Sequence, residues 1–96
     1  MKGRISKQCR KQVKAVAKYI QTKGNSPEQA SILIDTFNEK AVNICKMPTI
    51  GTPYKNEIRK IPLGKFPYNI YYRITKDSVY FIGIWSMKRG KDFSIF

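Results

Sequence analysis

The side chains with chemical reach in this 96-residue chain are cationic and phenolic. Lys60, Arg73, Lys88 and Arg89 stand in or beside predicted strands, and together they suit a patch that holds phosphate by charge and hydrogen bonding. Tyr71 and Tyr80 are interleaved with them. Such rings either pack within a sheet or offer a face to a base. Arg59 precedes Lys60, but successive strand residues point to opposite faces, so the two do not share one flat site. Lys88, Arg89 and Lys91 gather at a strand end beside Phe93 and Phe96. What is missing narrows the chemistry further. The chain has no His, which removes every His-dependent triad and most zinc sites. Its two cysteines, Cys9 and Cys45, fit no metal-ligand spacing and read as small buried apolar residues of a reducing compartment. Neither a metal nor a cofactor is expected.

The formal net charge of +13 is distributed unevenly. Residues 1–24 carry +8 with no acid at all, residues 25–47 carry −1, and residues 48–96 carry +6. Such an excess suits a polyanionic partner, whether nucleic acid, ribosome or acidic protein, better than a merely solvated surface. A hydrophobic content of 42% supports a small globular fold, read here as one domain over residues 1–96. No apolar run approaches the roughly 18–20 residues of a membrane span. The basic N-terminus is not followed by the apolar stretch of a signal peptide, so a cytosolic protein is expected.

The stretch from Glu57 to Arg89 reads as three strands with a basic exit. Tyr68, Ile70, Tyr72 and Ile74 alternate with Asn69, Tyr71 and Arg73, the period of a strand with one buried face. A turn at Lys76-Asp77 predicts an antiparallel hairpin pairing Ile74 with Val79, Tyr72 with Phe81, Ile70 with Gly83 and Tyr68 with Trp85. With Val79, Phe81 and Trp85 turned inward, Ile82 and Ile84 fall on the open face beside Tyr71. That is an apolar patch in a basic surround, suited to a protein partner.

Before the strands, Lys2 to Ile5 suggests a short first strand. Ser6 caps a helix whose Cys9, Val13, Val16, Ala17 and Ile20 form one stripe. Lys7, Arg10, Lys11, Lys14 and Lys18 take the opposite side. Ser26, Pro27, Glu28 and Gln29 open a second helix with inner residues Ala30, Leu33, Ile34, Phe37, Ala41, Ile44 and Cys45. The link between the helices is short, which requires an antiparallel hairpin and brings Cys9 and Cys45 toward each other. Pro48 ends the second helix, and residues 48–56 read as a loop. The expected architecture is α+β: a short N-terminal strand and an antiparallel helix hairpin packed on one face of a small antiparallel sheet.

This order of elements resembles the RelE/ParE superfamily of bacterial toxins over nearly the whole chain. The resemblance is carried by SPEQASILIDTF in the second helix, KMPTIGTP at its exit, IRKIPLGKFPYNIYYRI across two strands, and DSVYFIGIWSMKR in the last. It implies a toxin neutralised by a cognate antitoxin, and one of two targets: DNA gyrase for ParE-like members, or mRNA at the ribosomal A site for RelE-like ones. RelE-like members are thought to cut RNA with Lys, Arg and Tyr, and in some relatives His or Glu. Here Asn69 stands at a strand position usually held by Arg, and Ser86 stands at the exit position of a His. That pattern ranks a ParE-like gyrase inhibitor first. An mRNA endonuclease using Lys60, Arg73 and Arg89 is the alternative, and a small basic nucleic-acid-binding protein the second alternative. Target contacts are expected at Arg59, Tyr71, Arg73, Lys88 and Arg89. An acidic amphipathic antitoxin segment is expected at Tyr71, Ile82 and Ile84. No membrane partner is expected.

Overall fold

Capping chemistry decides where each helix starts. The Ser6 hydroxyl accepts a hydrogen bond from the Cys9 amide at 2.9 Å and opens α1 (Lys7–Thr22). The Ser26 hydroxyl accepts from the Gln29 amide at 3.2 Å and opens α2 (Pro27–Lys46), with Pro27 at its first position and Glu28 in its first turn. In the computed structural model, which describes residues 1–87, the two helices form a hairpin through Asn25, whose φ of 50° takes the left-handed turn conformation. Their facing stripes bury Cys9, Val13 and Ala17 against Ala30, Leu33, Phe37 and Ile44. Ile34, expected on the inner face, is 38% exposed.

The strands are β1 (Lys2–Ile5), β2 (Thr52–Lys55), β3 (Ile58–Pro62), β4 (Tyr68–Ile74) and β5 (Ser78–Ser86). They form one five-stranded sheet in the order β1-β5-β4-β3-β2. The sheet is mixed rather than purely antiparallel, because β1 pairs parallel with β5 while the other neighbours are antiparallel. Residues 48–56, expected as a loop, instead make a single 3₁₀ turn (Pro48–Ile50) and the edge strand β2. Pro53 is tolerated there because an edge strand leaves one row of backbone groups unpaired. The β2–β3 turn places Asn56 and Glu57 at φ 49° and 66°, the doubly left-handed turn that matches hairpin twist.

The hairpin register follows the sequence expectation for two pairs and then departs from it. Ile74 pairs with Val79 and Tyr72 with Phe81, but Tyr71 pairs with Gly83, Ile70 with Ile84 and Tyr68 with Ser86. One extra residue, Ile82, sits in β5 between those two sets of pairs. This is a β-bulge, and beyond it every β5 side chain changes face. Two residues near the start of α1 satisfy the backbone groups around the bulge. The Ser6 hydroxyl donates to the Ile82 carbonyl at 2.9 Å, and the Ile84 amide donates to Gln12 Oε1 at 2.9 Å. Gly83 fills the gap because a Cβ there would collide with Gln12 and come within 2.7 Å of the Trp85 ring.

Candidate functional site

The helices cover one face of the sheet, and the other face holds the candidate site. Cross-strand neighbours share a face, so the register sorts the site residues directly. Lys60 lies across from Tyr71, and Arg73 lies across from Ile58 on one side and Tyr80 on the other. All of these are on the open face. Arg59 pairs with Tyr72 and therefore sits on the helix side.

An aromatic cluster forms the floor of the open face. Tyr71 packs with Ile58, and Tyr54, Ile82 and Trp85 close around them. The Tyr71 ring meets Tyr54 edge-on at 5.4 Å and Trp85 edge-on at 5.5 Å, arrangements favoured by the ring quadrupoles. Two cations ride on this floor. Lys60 Nζ lies 5.4 Å from the Tyr54 ring centre, and the Arg73 guanidinium lies 5.5 Å from that of Tyr80. Each charge is held by a ring, and among the described residues no carboxylate neutralises it, which leaves it able to meet an anion. The open-face positions of β3, β4 and β5 carry no acid among the described residues.

The aromatic floor also changes Tyr71. The residue is only 1% exposed, and burial pushes its phenol above the usual value while a side-chain hydrogen bond with Asn69 pulls the other way. Tyr71 thus supports the patch from beneath and Asn69 ties its hydroxyl. Ile82 keeps partial exposure beside it. Ile84 does not join them: the bulge turns it into the helix-side core, where it is 3% exposed. Trp85, expected inside, takes its place on the open face for the same reason.

Arg59 does a different job from the target contact expected of it. Its Nη1 donates to the Gly51 carbonyl at 2.8 Å and to the Thr49 carbonyl at 3.4 Å. Beside it the Tyr72 hydroxyl donates to the Pro48 carbonyl at 2.7 Å and accepts from the Gly51 amide at 2.9 Å. Together they fasten the turn that launches β2, the strand that delivers Tyr54 to the site. Gly51 leaves room for this, since a Cβ there would strike the Tyr72 hydroxyl. Lys88, Arg89, Lys91, Phe93 and Phe96 lie outside the described residues. The residues that sequence reasoning missed are Tyr54, Ile58 and Trp85 as the floor, with Ser6 and Gln12 as supports of the bulge. A glycine inside an apolar strand, Gly83, was the available sign of the bulge.

A family model described as the ParE toxin of the type II toxin-antitoxin system, parDE, matches residues 4–90. Among solved structures, a chain from a chromosomal ParDE TA system of P. aeruginosa superposes with a TM-score of 0.75. The match is 17% identical and covers 90% of this chain and 95% of that one, a likeness of fold. Comparison with curated protein sequences returns no match.

Proposed function

Because this chain belongs to the ParE toxin family of type II toxin–antitoxin systems, we propose that it acts stoichiometrically, binding DNA gyrase through the open sheet face and the basic exit of β5. The observation that carries this reading is the chemistry of the open face. It presents Lys60 and Arg73 over aromatic rings, with Asn69 where an RNA-cleaving relative would hold an Arg, while Ser86, at the exit position of a His, pairs with Tyr68 and falls on the helix side. Cleavage by 2′-hydroxyl attack requires a proton acceptor and a leaving-group acid. The phenol at the centre of this face is buried and raised in pKa, which suits packing better than proton transfer. Binding needs only the charge, the rings and the shape.

A cognate antitoxin would hold the toxin in check, and the net charge of +13 favours an acidic partner segment. Its apolar contacts would fall on Ile82 and Trp85, which keep partial exposure, rather than on Ile84. No helix among the described residues is long and apolar enough to cross a membrane, and a gyrase target places the action in the cytoplasm. A supercoiling assay with purified gyrase, run beside primer extension on translated mRNA, tests the assignment. Supercoiling should fall as toxin is titrated to equivalence while transcripts remain intact. Normal supercoiling at excess toxin together with cut transcripts would transfer the activity to the endonuclease class.

A further inference from the structure

On the side of the molecule away from the aromatic face, α1 presents a second charged surface. Lys7, Lys11, Lys14 and Lys18 are all exposed and, at about 100° per residue, fall within about 60° of arc. Arg10 flanks them and is also exposed. The buried residues Cys9, Val13 and Ala17 lie on the opposite side of the helix, against α2 and the sheet.

This arrangement opposes the stability of its own helix. Lys7 with Lys11, Arg10 with Lys14, and Lys14 with Lys18 are like-charge pairs four residues apart, each unfavourable on a helix surface. Lys7 and Arg10 stand near the positive end of the helix dipole, and the first turn has no acid. The α2 helix of the same protein follows the opposite rule, with Glu28 in its first turn and Lys46 in its last. A cationic row maintained against both terms points to an external polyanion.

The composition of the row indicates which one. A protein partner needs apolar anchors at the centre of its contact, and the lysine arc contains none. α1 does expose one large apolar side chain, Tyr19 at 61%, but it lies about 80° beyond the edge of the arc, and Ile32, Ile34, Val42 and Met47 are exposed on α2 and its exit. Phosphate backbones require only cations in a row. Lys7 to Lys18 spans about 16 Å of helix, the axial length of about four or five phosphates on one DNA strand. We infer that the outer face of α1 binds the phosphate backbone of duplex DNA, without reading sequence. This surface is separate from the open sheet face, and its role stands whether or not gyrase is the target.

The test uses fluorescence anisotropy of the full chain with a labelled duplex of arbitrary sequence. Four contacts predict a slope of about −4 in log K against log salt, and a loss of binding of about a hundredfold between about 50 and about 200 mM salt. Replacing Lys7, Lys11, Lys14 and Lys18 by Gln should remove most of that slope. A control with Lys46, Lys55, Lys65 and Lys76 replaced by Gln changes net charge equally, and should keep it. Equal loss in both variants would mean diffuse attraction and overturn the assignment, as would full binding by the α1 variant. Poly-glutamate that displaces the duplex charge for charge would hand the surface to an acidic protein instead. The α1 variant should melt no lower than the parent at low salt, because its repulsion is relieved. If it fails to fold, the milder pair Lys11→Gln and Lys18→Gln should remove about half the slope, and an unchanged slope there overturns the assignment.

Discussion

Cys9 and Cys45 lie at the start of α1 and the end of α2 and have different environments. Cys9 is fully buried, and desolvation pushes its thiol up to about 12, so it carries almost no thiolate at neutral pH. Cys45 is partly exposed beside Gly3. Both are free thiols. A thiol reagent applied to the native protein should therefore add one label, at Cys45, and a second only under denaturant. Rapid double labelling of the native protein, read by mass spectrometry, would contradict this packing. Tyr72 is the other residue with a single defined task. Tyr72→Phe leaves the Gly51 amide and the Pro48 carbonyl without their phenol partner and should destabilise the protein by about 1–3 kcal/mol near neutral pH. Burial raises the Tyr72 phenol, so its contribution is intact below the unfolded phenol's pKa of about 10 and is lost as pH rises through the higher folded value. The stability gap between parent and Tyr72→Phe, measured by urea unfolding, should narrow at alkaline pH. A gap that stays constant to high pH would show that the phenol does not titrate as its burial requires.

The hairpin between β4 and β5 shows how far local pattern reaches. Capping residues placed both helices, and alternation placed Tyr68, Ile70, Tyr72 and Ile74 on the helix face. The same alternation carried through β5 put Ile84 outside and Trp85 inside, and the bulge reverses both. Periodicity assumes that each residue has one opposite neighbour, and an inserted residue breaks that assumption without changing composition. The tertiary partners that satisfy the bulge, Ser6 and Gln12, are more than seventy positions away in sequence from the groups they bind. No local rule connects them. β2 escaped for a related reason, since its pairing with β3 overrides the loop-like composition of a segment containing two prolines and a glycine. Gly83→Ala tests the bulge. The added methyl has no room between Gln12 and Trp85, and overpacking of this kind costs about 1–3 kcal/mol. Chemical denaturation should show that loss, with near-ultraviolet circular dichroism reporting a displaced Trp85. Parent-like stability and spectra would mean that the strand tolerates a regular register.

At the scale of the whole molecule, three surfaces differ in their mixture of charge and apolar groups. The sheet's open face combines rings with Lys60 and Arg73, the outer face of α1 carries the lysine row, and α2 exposes apolar side chains. The overall charge was legible from composition, as was the toxin-like order of elements. The division of labour was not, because it depends on which strand face the helices cover and on the single inserted residue in β5. One fold supports several chemistries, so the assignment to gyrase binding rests on what the open face offers rather than on the fold alone. The most direct measurement is gyrase supercoiling titrated with the parent toxin and with a Lys60→Gln, Arg73→Gln double variant. Both substituted side chains sit on the open face outside the helix-side core, so the variant should fold like the parent by circular dichroism. It should need at least about tenfold more protein for the same inhibition, equivalent to losing about 1.4 kcal/mol of binding. A folded double variant that inhibits gyrase at the same concentration as the parent would contradict the account.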